Sequence, residues 1–379
     1  MVKLLLAGDV MLGRGIDQIL QHPSDPKLYE RYMASAEDYV RLAEAAHGHI
    51  PRQVDPAYVW GDALAEIDRQ APDARIVNLE TAVTTAKSHA PKGINYRMNP
   101  NNVAALRAFR IDCCSLANNH VLDWGRKGLI DTIETLRQIG IGAPGAGREK
   151  TEADAPAIVE TADGARILVF AAAMPTSGAL SEWAAGDRNP GVSFLADLST
   201  ASIDLIARRI SAAKTARDIV VLSLHWGGNW GYRITDEEIA FAHALIDRAG
   251  VDVLHGHSSH HAKAVELYRG KLILYGCGDF INDYEGIPGH EGYRNDLALA
   301  YLATIDAEDD GRLSALSIVP FRIRAFQLQS ASIAAMNWVQ DMLTRESSRF
   351  GLRFVGAGDR ELKLVHETGG IMPDAPCQP

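Results

Sequence analysis

The strongest constraint in this sequence is a set of short, continuous apolar runs, most of which stop at a residue able to hold a metal or a proton. The runs are Lys3–Leu6, Arg75–Val77, Cys113–Leu116, Arg166–Ala171, Ile219–Leu224, Val251–Leu254 and Lys271–Tyr275. They are too short for helices and lack the alternation of a half-exposed strand. Runs of this kind fit strands covered on both faces. Between them, apolar residues recur at helical spacing within Gly125–Gly140, Ser202–Ala213 and Thr235–Ala249. Thr235 and Glu238, three apart, predict a capping box at the start of the last of these. Strand–helix alternation means a layered α/β fold.

After Gly270 the pattern changes. Lys271–Tyr275, Asp296–Asp306 and Leu313–Phe326 read as consecutive strands, so a mixed or second sheet is expected. Ser332–Ser347 predicts a closing helix. Residues 21–60 hold no clear strand and several prolines, and read as an insertion. The last residues, 366–379, read as a flexible tail.

Charge narrows the partners. The chain of 379 residues carries a formal net charge of −10, which argues against broad affinity for nucleic acid or an anionic membrane. No stretch reaches the roughly 18 apolar residues of a membrane helix, and Leu4 to Ala7 is too short for a signal peptide core. The expectation is a cytoplasmic protein without a membrane segment. The four cysteines, Cys113, Cys114, Cys277 and Cys377, are too sparse for a disulfide scaffold, and the adjacent Cys113 and Cys114, within an apolar run, read as buried reduced thiols.

Histidine carries the chemistry. Six of the 13 histidines fall between positions 225 and 261, four of them in His255-Gly-His257-Ser-Ser-His260-His261. That cluster follows an apolar run, and ligand sites in open α/β sheets gather at the carboxyl ends of strands. Neutral imidazole is a common nitrogen ligand for divalent metals. Other run ends supply oxygen and more nitrogen: Gly8-Asp9, Asn78-Leu79-Glu80, Asn118-Asn119-His120 and His225-Trp226-Gly227. A mixed set of this kind suits one or two ions of Mn, Fe, Zn or Ca. Asp123, three after His120, either orients that imidazole or caps the helix starting near Gly125. Arg14 and Arg97 are candidates for an anionic substrate group. Asn118, Trp226 and Asp279 are placed with them on the substrate side; Trp226 fits a groove lining or the packing beneath the site equally well.

Taken in order, Gly8-Asp9, Asn78-Leu79-Glu80, Ala117-Asn118-Asn119-His120, His225-Trp226-Gly227, Gly256-His257 and Gly278-Asp279-Phe280 resemble the CapA family, named for poly-γ-glutamate capsule synthesis. That family is similar to the calcineurin-like metallophosphoesterases. The resemblance implies an α/β/β/α sandwich of two mixed sheets over residues 1–330, with 331–365 as a closing helix and short extension. It implies Asp9 on one metal, Glu80 bridging, and Asn119, His225 and His257 on the second. His120 would stand beside the ions as a catalytic residue, oriented by Asp123. The metallophosphoesterase pattern differs in having a histidine where Met11 stands and a final histidine where Ser259 stands, so His255 or His260 would substitute. The implied activity is metal-dependent hydrolysis of a phosphoester or of an amide in a glutamyl or peptide substrate. Peptide epimerisation through a Cα proton, and non-catalytic binding of an anionic polymer, are the alternatives.

Overall fold

In the first strand, Val2–Val10, Leu5 and Ala7 pack into one apolar cluster while Leu4 and Leu6 pack into another. Both faces are therefore buried, as continuous apolar runs require. The computed structural model describes residues 1–358 and 360–366. The expected tail, beyond His366, and Cys377 lie outside the described residues.

Among the described residues two large mixed sheets face each other. The first runs Leu352–Ala357, Glu361–His366, Arg312–Arg324, Leu297–Asp306, Val2–Val10, Ala74–Leu79, Cys113–Ser115; Asp279–Ile281 pairs with Val2–Val10, and Gln327–Ser330 with Arg312–Arg324. The second runs Val265–Tyr268, Lys271–Leu274, Val253–His257, Ile219–His225, Arg166–Ala173, Ala157–Glu160. Between them, Leu6, Ile76 and Tyr301 of the first sheet meet Val169, Val221 and Val253 of the second. Each such aliphatic side chain contributes about 1.5–3 kcal/mol of burial. The outer face of the first sheet is covered by Asp62–Gln70 and Gly125–Gln138, and that of the second by Thr200–Ala213 and Asp236–Ala244. The layering is α/β/β/α.

Local chemistry sets the helix ends. The capping box at Thr235 forms in full: Thr235 accepts from the Glu238 N–H, and Glu238 accepts from the Thr235 N–H. That helix ends at Ala244 and continues as a π turn over Leu245–Ala249. The closing helix spans Ile333–Ser347, capped by Ser332, and sends Met336, Val339 and Leu343 between the sheets. Two features were not legible in the pattern. Ala36–His47 is a helix inside the 21–60 insertion, capped by Ser35 and anchored by Tyr39, Val40 and Ala43. The strands Leu352–Ala357 and Glu361–His366 form a hairpin on the outer edge of the first sheet. No helix of the described residues is long and apolar enough to cross a membrane.

Candidate metal centre

Both sheets point the carboxyl ends of their parallel strands to one place. Asp9 lies opposite Asp279 on one neighbour and opposite Asn78 on the other. Gly8 makes this possible: a Cβ there would sit 1.7 Å from the Gly278 carbonyl oxygen, so only glycine permits the close approach. In the second sheet His225 lies opposite His257. Just beyond, Ser258 holds φ at 103°, a strained value for a non-glycine residue, and its N–H points at Asp9 Oδ2, 3.3 Å away.

The resulting geometry is close. Nδ1 of His225 is 2.7 Å from Nδ1 of His257, which is 3.9 Å from Asp9 Oδ1. Nε2 of His225 is 3.1 Å from Asn119 Oδ1 and 3.9 Å from Glu80 Oε1. On the other side of Asp9, His260 Nδ1 is 2.9 Å from Asp279 Oδ1. Two groups of potential ligands follow, Asp9–His225–His257 and Asp9–His260–Asp279, each with its ligand atoms within 4.8 Å of one another. Asp9 is common to both. Glu80, given the bridging place by resemblance, is buried beside Asp9, with Oε1 3.9 Å from His225 Nε2 and 3.7 Å from His120 Nε2, and Asp279, first placed on the substrate side, joins the second group.

The buried cluster crowds carboxylates against imidazoles. Burial and then the neighbouring Asp279 push the Asp9 carboxyl up to about 7. Burial and then Asp9 push Glu80 well above the usual carboxylate range. Burial holds His225 and His257 neutral, their pKa values well below normal. Burial lowers His260 as well, but Asp279 outweighs it and raises the group above its ordinary value. Glu80 Oε2 is buried with no hydrogen-bond partner. Crowded carboxylates, an orphaned carboxylate oxygen and neutral imidazoles fit a divalent ion, which would relieve the repulsion and fill the vacant acceptor.

His120 stands beside this cluster. Its Nδ1 is 2.6 Å from Asp123 Oδ2, and its Nε2 is 3.7 Å from Glu80 Oε1. Asp123 caps no helix; Trp124 occupies that position. Its carboxylate accepts instead from the Tyr96 N–H at 2.6 Å and pairs with Lys92 Nζ at 2.7 Å. With Nδ1–H donating to Asp123, the lone pair sits on Nε2, facing the cluster. Burial lowers His120 to about 4 against the pull of Asp123, so at neutral pH the ring is a proton acceptor. Lys92 was missed because its loop carries no motif. Asn78, which donates to Asp9 Oδ1 at 2.8 Å, and Ser223, whose hydroxyl is 2.6 Å from His257 Nε2, support the ligands from behind.

Several other sequence candidates are occupied elsewhere. His255 Nε2 donates to the Ala7 carbonyl at 2.9 Å, and its Nδ1 lies 3.3 Å from Ser223 Oγ; it ties the sheets together and joins neither ligand group. Asn118 is spent on the turn, donating to Asn78 and the Leu79 carbonyl and accepting from the His120 and Val121 N–H groups. Trp226 is 3% exposed, donates to the Tyr275 carbonyl and packs in the core beneath the site. Arg14 is buried and locked in a two-bond pair with Asp283 and bonded to Glu30 and Tyr39, which takes up four of its five donors. Arg97 lies in a separate surface cleft, stacked 3.9 Å above Trp124.

Comparison with known proteins gives this geometry a family. A probable polyglutamine synthesis accessory protein of Mycobacterium tuberculosis is 46% identical over 366 residues, 96% of each chain. The capsule biosynthesis protein CapA of Bacillus anthracis is 28% identical over 97% of this chain and 78% of its own length. The PGA biosynthesis protein CapA of Bacillus subtilis is 26% identical over 73% and 62%. Residues 3–284 match the family described as bacterial capsule synthesis protein PGA_cap, a span that takes in every residue of the two ligand groups and the His120 network, and the chain belongs to that CapA-like family.

Proposed function

We propose that the protein is a metal-dependent hydrolase that cuts an amide bond of a glutamyl chain. The single observation that carries this reading is the sharing of Asp9 by two ligand groups with a neutral imidazole, His120, beside them. A binding module has no need of a proton acceptor held by a carboxylate next to its ligands. Relatives named for polyglutamine synthesis and for PGA biosynthesis direct the reading to a glutamyl-type polymer.

Asp9, His225 and His257 would hold one ion, and Asp9, His260 and Asp279 a second, with Glu80 and Asn119 in reach of the first. The nitrogen-rich first group favours manganese, iron or zinc over calcium, whose ligands are oxygens. A divalent ion there supplies Lewis acidity to a carbonyl and lowers the pKa of water. His120 accepts the proton of the attacking water at Nε2 and returns it to the leaving amine. Asp123 fixes the ring and steadies its charged form, and Lys92 pairs with Asp123.

The test is incubation of the metal-loaded protein with glutamyl oligomers in deuterated water, read by mass spectrometry. Shortened chains support the reading. Unshortened chains carrying deuterium at Cα transfer the site to epimerisation, and unchanged chains in the presence of bound metal overturn both.

A further inference from the structure

Outside the candidate metal centre, one surface cleft gathers three cations against a single lining carboxylate, Asp25. It has a volume of about 360 Å³ and is built by residues 23–29, from the insertion, and by residues 85–99, with Trp124 as its floor. Arg97 gives hydrogen bonds only to backbone carbonyls, those of Ala86 and Asp25. Lys27 and Lys87 are exposed. Among the described residues none of these three cations forms an ion pair, although the chain as a whole carries a net charge of −10. Asp25 is the one carboxylate of the lining.

The walls are flat and aromatic. Tyr29 stacks on His89 at 3.6 Å, and the pair stands edge-on to Trp124. Arg97 lies over the Trp124 ring and Lys27 over the Tyr29 ring at 5.3 Å. The rings hold the cations from below while their outward donors stay open. The same loops carry the His120 network. Trp124 follows Asp123, and Arg97 follows Tyr96, whose ring stands edge-on to His120 at 4.5 Å.

We infer that the cleft of Lys27, Lys87 and Arg97 is a second binding site, one that takes side-chain carboxylates of a polyanionic glutamyl chain whose scissile bond lies at the metal centre. The inference rests on the proposed action on a glutamyl chain. It adds that the chain is charged: a glutamine side chain is neutral and offers no partner to three cations that form no ion pair and outnumber the one lining carboxylate, whereas successive carboxylates match them.

The experiment is calorimetric titration of the full chain with hexaglutamate, hexaglutamine and inorganic phosphate, repeated with the doubly substituted Lys27→Gln, Lys87→Gln protein and with His225→Ala. Both lysines are exposed, so the double variant tests binding without disturbing the core. The expected result is hexaglutamate binding that weakens with added salt, no hexaglutamine binding, and a loss of about tenfold or more in the double variant with metal content unchanged. Equal binding by wild type and double variant, absence of hexaglutamate binding, or phosphate bound as tightly as hexaglutamate would overturn the inference. Binding that disappears in His225→Ala but persists in the double variant would also overturn it while leaving the hydrolase reading intact. Binding lost only in the double variant, in a protein that cleaves no glutamyl chain, would sustain the cleft and defeat the hydrolase reading.

Discussion

The first sheet brings oxygen to the candidate centre and the second brings nitrogen. Asp9, Glu80, Asn119 and Asp279 stand on or just after strands of the first sheet, while His225 and His257 end strands of the second and His260 follows them. The two sides respond differently to burial. On the oxygen side it forces like charges together and raises Asp9 to about 7. On the nitrogen side it keeps His225 and His257 neutral, which costs little, and only His260 is raised, by its Asp279 partner. The oxygen side is therefore the strained partner when no cation is present, and the nitrogen side is the ready one.

Substitutions can break that comparison at its hinge. Asp9 is the residue both ligand groups share, so Asp9→Asn is expected to reduce turnover on a glutamyl oligomer by on the order of 10³-fold or more, measured by product release. His120→Ala comes next, at roughly 10²–10⁴-fold in turnover, with metal content and thermal stability nearly unchanged. A His120→Ala protein that loses metal would move this residue into the ligand shell.

The pH response sharpens the contrast. A carboxyl raised in the folded state stabilises that state fully below the ordinary carboxylate pKa of about 4, and the contribution is lost as pH rises through about 7. The metal-free protein should therefore lose thermal stability between about pH 4 and 7 relative to Asp9→Asn, which lacks this group. Added divalent metal should raise Tm increasingly over the same window, since it replaces the proton. A Tm gain independent of pH would contradict the oxygen-side account. The smallest effect belongs to His255→Ala. It unties the Ala7 carbonyl from the second sheet, and should cost about 1–3 kcal/mol in denaturant melts while leaving metal content intact.

Much of this was legible in the sequence because strands covered on both faces leave an unmixed apolar signature, and because their polar stop residues fall in phase. Asp9, Glu80, Asn119, His120, His225 and His257 could all be picked out that way. What was not legible depended on where side chains turn. His255 and His257 are two apart on a strand, yet one bonds to Ala7 and the other faces Asp9; the register of the opposite sheet decides this, and no local pattern reports it. Asn118 and Arg14 looked like free polar groups, but a tight turn and a buried carboxylate had already claimed them. Lys92 lies in an irregular loop, and only the fold brings it to Asp123.

The measurement closest to the central claim is metal content by elemental analysis after equilibration with manganese or zinc and removal of free ion. A centre in which Asp9 serves two ligand groups predicts about two ions per chain in the wild type, about one in His225→Ala and nearly none in Asp9→Asn. A wild-type protein that retains no divalent ion, or an Asp9→Asn protein that retains its full complement, would contradict it.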